Sequence, residues 1–189
     1  MARTTVDLHA VESPAEREAA RALIGEYLHW VAAIALSNYG LSFDVGAMLQ
    51  SDIEDRSKFY PPTGRFYLVR HAGHEVGVGC LKRLAAGIGE VQRMYVQPQV
   101  RGLGAGRQLV DRLLHDASLL GYSKVRLESL KALTAAHNLY RSVGFREIDP
   151  YSESSMNAYQ PPQALDSYRE SAVFMEWSLA GGASYSTDL

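Results

Sequence analysis

The apolar period of this chain changes at one place, and glycines bridge the change. A strand-like alternation ends at Val96 and a helical period begins near Gly104. Between them lies Gln97-Pro98-Gln99-Val100-Arg101-Gly102-Leu103-Gly104-Ala105-Gly106. A strand that feeds a helix through such a loop points to an α/β unit. The N-terminus of the helix carries unpaired N–H groups and a partial positive charge, which suit a phosphate. Glycines let a ligand approach the backbone, and Arg101 adds a charged fork matched to phosphate oxygens. A dinucleotide fingerprint would need a third glycine where this chain has Arg107, and a Walker-type loop would end in Gly-Lys-Ser/Thr. The spacing that fits is R-x-x-G-x-G, at Arg101, Gly104 and Gly106. A turn that only joins a strand to a helix satisfies the same local pattern, so the loop by itself leaves both readings open.

The rest of the chain supplies a context for the loop. Val6 to His9 reads as a short strand. Ser13-Pro14-Ala15-Glu16 then opens a helix, with Ser13 as cap, Pro14 in the first turn and Glu16 reaching back. Its apolar residues Leu23, Tyr27, Trp30, Val31 and Ile34 keep the helical period to about Asn38, where Asn38-Tyr39-Gly40 stops it. A second helix is expected over Val45 to Lys58. Arg65–Arg70 and Glu75–Leu84 form a hairpin around Gly73, and Gly87 and Gly89 mark a turn before Glu90–Val96. Leu109, Val110, Leu113, Leu114 and Ala117 give the next helix its apolar face. Lys124–Leu130 is a strand, Ala135–Val143 a helix stopped by Gly144, Phe145–Ile148 a strand, and Ala172–Leu179 the last strand. The polar stretch from Ser152 to Arg169 is long for a connection and is either a functional loop or partly disordered. Residues 1–179 are expected to form one domain, followed by a flexible tail over 180–189.

Composition removes several classes of function. With 189 residues, 47% hydrophobic and 21% charged, the chain can bury a globular core. A net charge of -2 gives no general field for nucleic acid or an anionic membrane, so an anionic ligand must be held locally. The single cysteine, Cys80, allows no internal disulfide and suits a reducing cytoplasm. Its strand-like setting predicts a buried, inert thiol. Met1–Ala10 lacks the apolar stretch of a signal peptide, and the apolar run Trp30–Leu36 is too short to span a bilayer. A soluble cytoplasmic protein is expected. His71 and His74 flank a hairpin tip and the remaining histidines are scattered, so no metal constellation is read.

The loop, the preceding Glu90-Val91-Gln92-Arg93-Met94-Tyr95-Val96, the following helix, Val125-Arg126-Leu127-Glu128-Ser129 and Asn138-Leu139-Tyr140-Arg141-Ser142-Val143-Gly144-Phe145 occur in one order. That series resembles the GNAT superfamily of acyl-CoA-dependent N-acyltransferases, strongly over residues 65–148 and through element order elsewhere. The resemblance implies a single α/β domain with a mixed central sheet of six to seven strands, flanked by helices. Its two parallel central strands would splay apart to admit the pantetheine arm of acetyl-CoA. The backbone around Met94, Tyr95 and Val96 would meet that arm. Val100, Arg101, Gly102, Gly104, Ala105, Gly106 and Arg107 would surround the pyrophosphate, and Asn138 would contact the arm from the other side.

Acetyl transfer to an amine needs a neutral amine, a polarised thioester carbonyl and a proton for the leaving thiolate. A lysine-type amine has a pKa near ~10.4, so a base is needed. The resemblance implies Tyr140 as the general acid and the Met94 amide as the carbonyl donor. Glu90 is the first candidate for the base, on the expectation that it shares strand parity with Gln92, Met94 and Val96. Glu128 on the neighbouring strand is the second. No metal is required, and the amine attacks directly in a ternary complex. Acceptor selection would fall to Ser37–Asp44 and Ser152–Arg169, whose aromatic residues are Tyr39, Phe43, Tyr151, Tyr159 and Tyr168. A small amine or amino acid is the expected acceptor. A protein N-terminus or lysine, and a non-catalytic acyl-CoA-binding module, are the alternatives. Dimers are frequent among members of the superfamily and a homodimer is compatible with this chain, though nothing in the sequence displays an interface.

Overall fold

A computed structural model describes residues 6–179, so the expected tail over 180–189 lies outside the described residues. The elements follow one another as β1 (Val6–Ala10), α1 (Pro14–Tyr39), α2 (Val45–Glu54), β2 (Arg65–His71), β3 (His74–Ala85) and β4 (Ile88–Val96). After them come α3 (Ala105–Leu119), β5 (Lys124–Leu130), α4 (Thr134–Ser142), β6 (Arg146–Ile148), α5 (Leu165–Ser171) and β7 (Ala172–Ser178). Seven strands form one sheet in the order β1-β2-β3-β4-β5-β7-β6. Every neighbouring pair is antiparallel except β4 and β5.

Period-two alternation gives the sheet two apolar faces. Along β2, Phe66 and Leu68 enter the core beneath α1 and α2, whereas Tyr67 and Val69 enter the one beneath α3 and α4. Ser13 and Glu16 form the expected reciprocal cap of α1, and Gly40 ends that helix in the left-handed conformation, with φ 67°. The 26-residue α1 is long and apolar enough to cross a membrane by length and composition, which the short run Trp30–Leu36 does not reveal. In the fold, its Ala20, Ile24 and Ala35 are fully buried in the core on the α1 side of the sheet.

Three expectations change. Helix α2 stops at Glu54 rather than Lys58, because the Asp55 carboxylate accepts hydrogen bonds from the backbone and hydroxyl of Ser57. Such local side-chain bonds offer the backbone an alternative to the helix. Gly89 belongs to β4 and not to a turn; a Cβ there would lie 3.0 Å from both Leu81 and Tyr122, so a side chain would have to push both neighbours aside. Of the two readings of Ser152 to Arg169, partial disorder gives way to regular structure. The segment holds short 3-10 turns at Ser155–Ala158 and Pro162–Ala164, followed by α5, and it buries Ser154, Met156, Gln160 and Tyr168.

Two irregularities at the centre of the sheet create the site. Strands β4 and β5 pair only at Ile88↔Lys124, Gly89↔Val125 and Glu90↔Arg126, and beyond Glu90 they separate. In the ladder to β3, Val78 lies opposite Tyr95 while Cys80 lies opposite Gln92. Gly79 therefore faces two residues, Arg93 and Met94, in a β-bulge where Arg93 takes φ 55°. The bulge reverses the alternation. Val91 and Met94 pack on the α3 side, whereas Tyr95 lies in the core on the α1 side and Arg93 bonds to Asp52 of α2. The expected common face of Glu90 and Met94 is lost.

Candidate active site

The gap between the diverging strands opens into a cavity of about 630 Å³. Its walls come from β4, the loop after it, the start of α3, the end of β5, α4, α1 and the segment before β7. Met94, Tyr95, Val96, Val100, Arg101, Gly102, Gly104, Ala105, Gly106, Arg107, Glu90 and Tyr140 all line it. Asn138 does not. It is exposed on α4 and accepts a hydrogen bond from Arg141, because its place in the helical turn points it away from the face that carries Tyr140.

At the mouth, the glycine loop has the form expected of an anion cradle. Gly102 and Gly104 have φ 84° and 85°, and Gly104 caps α3 without any side-chain bond to its N–H groups. Gly106 has a further task, since a Cβ there would come within 3.2 Å of Leu139 on α4. Arg101 donates through Nε to the Val96 carbonyl at 2.9 Å, and its guanidinium carbon lies 5.3 Å and 5.9 Å from the ring centres of Trp30 and Tyr95. Those contacts hold an exposed arginine at the rim. Tyr95 is itself fixed by a 2.7 Å bond from its hydroxyl to Glu26, and burial together with that carboxylate pushes its pKa up to about 12. Arg107 is paired with Asp111 at 2.7 Å, so Arg101 is the rim cation without a carboxylate partner among the described residues.

Deeper in, two carboxylates stand on adjacent strands. Glu90 is fully buried and is not the solvated strand-end group its position after a glycine suggests. Gln92 donates to it at 2.8 Å and Tyr151 at 3.2 Å, Ser155 donates as well, and the Lys82 ammonium lies at 3.5 Å. Glu128 accepts from the Ser154 hydroxyl at 2.6 Å, from the Met156 amide at 3.1 Å and from Tyr168. No cation pairs with it among the described residues. Burial first, and the nearby charge of Glu90 second, raise its pKa to about 7, against the opposing effect of its hydrogen bonds.

Tyr140 is buried on α4, with its ring 5.7 Å from that of Phe145, and its hydroxyl pKa is pushed far above the usual value by burial, with Tyr27 adding to it. The acceptor-side aromatics divide. Phe43 and Tyr168 line the cavity and pack edge to face at 6.3 Å. Tyr151 instead lies against Phe174 and bonds to Glu90, while Tyr39 and Tyr159 pack on the core behind the wall. Cys80 is a free, buried thiol whose pKa burial raises well above the ordinary value, as its strand setting suggested.

Several cavity residues were not singled out in the sequence: Arg93, Tyr27, Met156 and, through Arg93, Asp52. Only Tyr27 carried a signal, as part of the apolar face of α1. Among the described residues, no group of three or more His, Cys, Asp or Glu side chains could hold a metal ion.

Known proteins resemble this arrangement. Residues 62–147 match a family model described as an acetyltransferase (GNAT) domain. An uncharacterized N-acetyltransferase of Schizosaccharomyces pombe is 29% identical over 154 residues, covering 80% of this chain and 89% of that protein. YjgM, an uncharacterized N-acetyltransferase of Escherichia coli, is 30% identical over 118 residues, covering 60% of this chain and 71% of that one. The PaiA N-acetyltransferase of Thermoplasma acidophilum, solved in complex with coenzyme A, superposes with a TM-score of 0.64 at 15% identity, over 93% of this chain and 99% of that one.

Proposed function

The chain belongs to the GNAT family of acetyl-CoA-dependent N-acetyltransferases, and from that premise we propose that it acetylates the primary amine of a small molecule or amino acid by direct attack in a ternary complex. One observation carries the mechanism: a half-buried carboxyl, Glu128, with a pKa of about 7, in the same cavity as a tyrosine that burial keeps protonated.

The residues fit the donor. Two positive-φ glycines, an uncapped helix N-terminus and Arg101 converge at the mouth, where a pyrophosphate needs N–H groups and a cation. Acetyl-CoA supplies the activated acetyl group as a thioester. The unpaired edge of β4 around Met94–Val96 offers backbone groups to the pantetheine arm, and the Met94 amide is our choice for polarising the carbonyl.

Base work goes to Glu128. A base operates best when its pKa lies near the working pH, and about 7 meets that condition. Glu90, the first candidate in the sequence, already has its oxygens engaged by Gln92, Tyr151, Ser155 and Lys82. A carboxylate offers about four lone-pair sites, so Glu90 has little capacity left. Its charge serves to raise Glu128 instead. Glu128 takes a proton from the amine, and the Tyr140 hydroxyl gives one to the departing sulfur.

An amine panel followed by free CoA release tests the function. Turnover on a free amine or amino acid is expected, and turnover confined to peptides would replace this reading with a protein acceptor. Acetyl-CoA binding without turnover on any amine would leave a binding module. Tyr140→Phe should lower kcat about 100-fold with acetyl-CoA affinity unchanged. That is the low end of general-acid effects, because a thiol of pKa ~8.5 leaves readily. An unchanged kcat would remove the acid role.

A further inference from the structure

One buried cluster in the acceptor wall carries a surplus of charge. Asp52 of α2 is fully buried and meets two cations, Arg93 and Lys58, whose side chains are 8% and 10% exposed. One carboxylate against two cations leaves a formal charge of +1 in the interior. Lys58 has other company: the hydroxyls of Ser51 and Tyr159 lie at 3.5 Å, and its ammonium stands over the Phe59 and Tyr159 rings. None of these groups is negative. Arg93 hydrogen-bonds only to Asp52 among the described residues, through Nε and one Nη, yet it lines the cavity. A guanidinium has five N–H donors, so most of this one is unspent.

The backbone shows the same bias. Arg93 occupies the bulge at φ 55°, a region that non-glycine residues rarely enter and that costs energy to hold. Unbroken alternation would place it with Val91 in the apolar core under α3. The bulge turns it to the other side of the sheet, onto Asp52 and the cavity wall. Tyr27, which also lines the cavity, lies within electrostatic reach of Arg93, Asp52 and Glu128 together. A surplus cation and a proton-accepting carboxyl therefore face one chamber. Buried charge is costly unless paired, and among the described residues no buried carboxylate besides Asp52 pairs with Arg93 or Lys58.

We infer that the acceptor is an amine that also bears a carboxylate, an amino-acid-like molecule whose carboxylate is bound by the free guanidinium edge of Arg93 while its amine faces Glu128. This rests on the reading of the cavity as an acetyl-transfer site and narrows it. Arg93 is then a specificity residue: it binds acceptor and takes no proton. Asp52 orients it, and Lys58 keeps Asp52 paired if Arg93 is lost.

Binding, measured apart from turnover, tests the inference. N-acetylglycine, N-acetylaspartate and N-acetylphenylalanine, which are products of such a reaction, would be titrated by calorimetry into the CoA-saturated protein beside their C-terminal amides. At least one acid should bind about 10- to 100-fold more tightly than its amide, as charge-assisted bonds to a buried arginine require. Arg93→Gln should remove that difference while CoA affinity, which reports a folded variant, stays unchanged. Equal affinity for acids and amides in the wild-type protein, or a preference that survives Arg93→Gln, overturns the inference. A preference for acids that depends on Arg93, found in a protein that transfers no acetyl group to any amine, would uphold the carboxylate site and sink the enzymatic mechanism instead.

Discussion

Glu128→Gln should lower kcat by about 1,000-fold, within the range for loss of a general base. In the wild-type enzyme at saturating acceptor, kcat should rise with pH and level off above about 7, as Glu128 loses its proton. The variant should lack that inflection. Stability gives a second readout, and its sign is opposite to that of ordinary damage. The folded protein holds the Glu128 proton more tightly than the unfolded chain does, because the pKa rises from 4.5 to about 7 on folding. Between those two values the native state binds more protons than the unfolded one, so stability falls as pH increases through this window. A neutral Gln escapes that loss. Above pH 7 the variant should therefore be more stable than the wild type, on the order of 1–3 kcal/mol, in urea denaturation. A variant that is slow and also destabilised at pH 8 would mean that Glu128 is structural.

Arg101→Ala combined with Gly104→Val should weaken acetyl-CoA binding about 1,000-fold in calorimetry. Removing a charged donor to phosphate costs roughly 1.5–3 kcal/mol. A β-branched residue avoids φ 85°, so the free loop relaxes to another conformation, and restoring the cradle for binding costs roughly 1–2 kcal/mol. Each 1.4 kcal/mol is about tenfold in affinity, so the sum gives that order. Both residues lie on the exposed rim, away from the core, and the variant should retain the wild-type unfolding midpoint. Affinity within a few-fold of wild type would remove the loop from the donor site.

What the sequence made legible was local. The reciprocal Ser13–Glu16 cap, the hairpin at Gly73 and the order of strand, glycine loop and helix are each decided within a few residues, and the structure repeats them. The bulge was not legible. It inserts an arginine at positive φ where glycine would be the usual mark, so simple alternation assigns Glu90 and Met94 to one face. Asp52 reads as an ordinary polar residue of a helix, and only the fold brings it to Arg93, 41 positions later. Glu128 was visible as a carboxylate on the right strand. Its elevated pKa comes from burial and from Glu90, against the pull of hydrogen bonds from Ser154, Met156 and Tyr168, in a segment with no apolar period to reveal its turns and short helix. The chemistry of the site is tertiary even where its residues are conspicuous.

The short pairing of β4 with β5 has a consequence beyond catalysis. An incomplete ladder is an edge in the middle of a sheet, with amides and carbonyls that only water or another extended chain can satisfy. A ligand lying along that edge acts as a removable strand, and it binds the native protein but not the unfolded one. By mass action the folded state then gains free energy with each increase in ligand concentration above its Kd. If acetyl-CoA is that strand, as proposed above, resistance to unfolding and to proteolysis should rise with donor concentration, and the donor-free protein should present its inner edge to water, to proteases and to the strands of other chains.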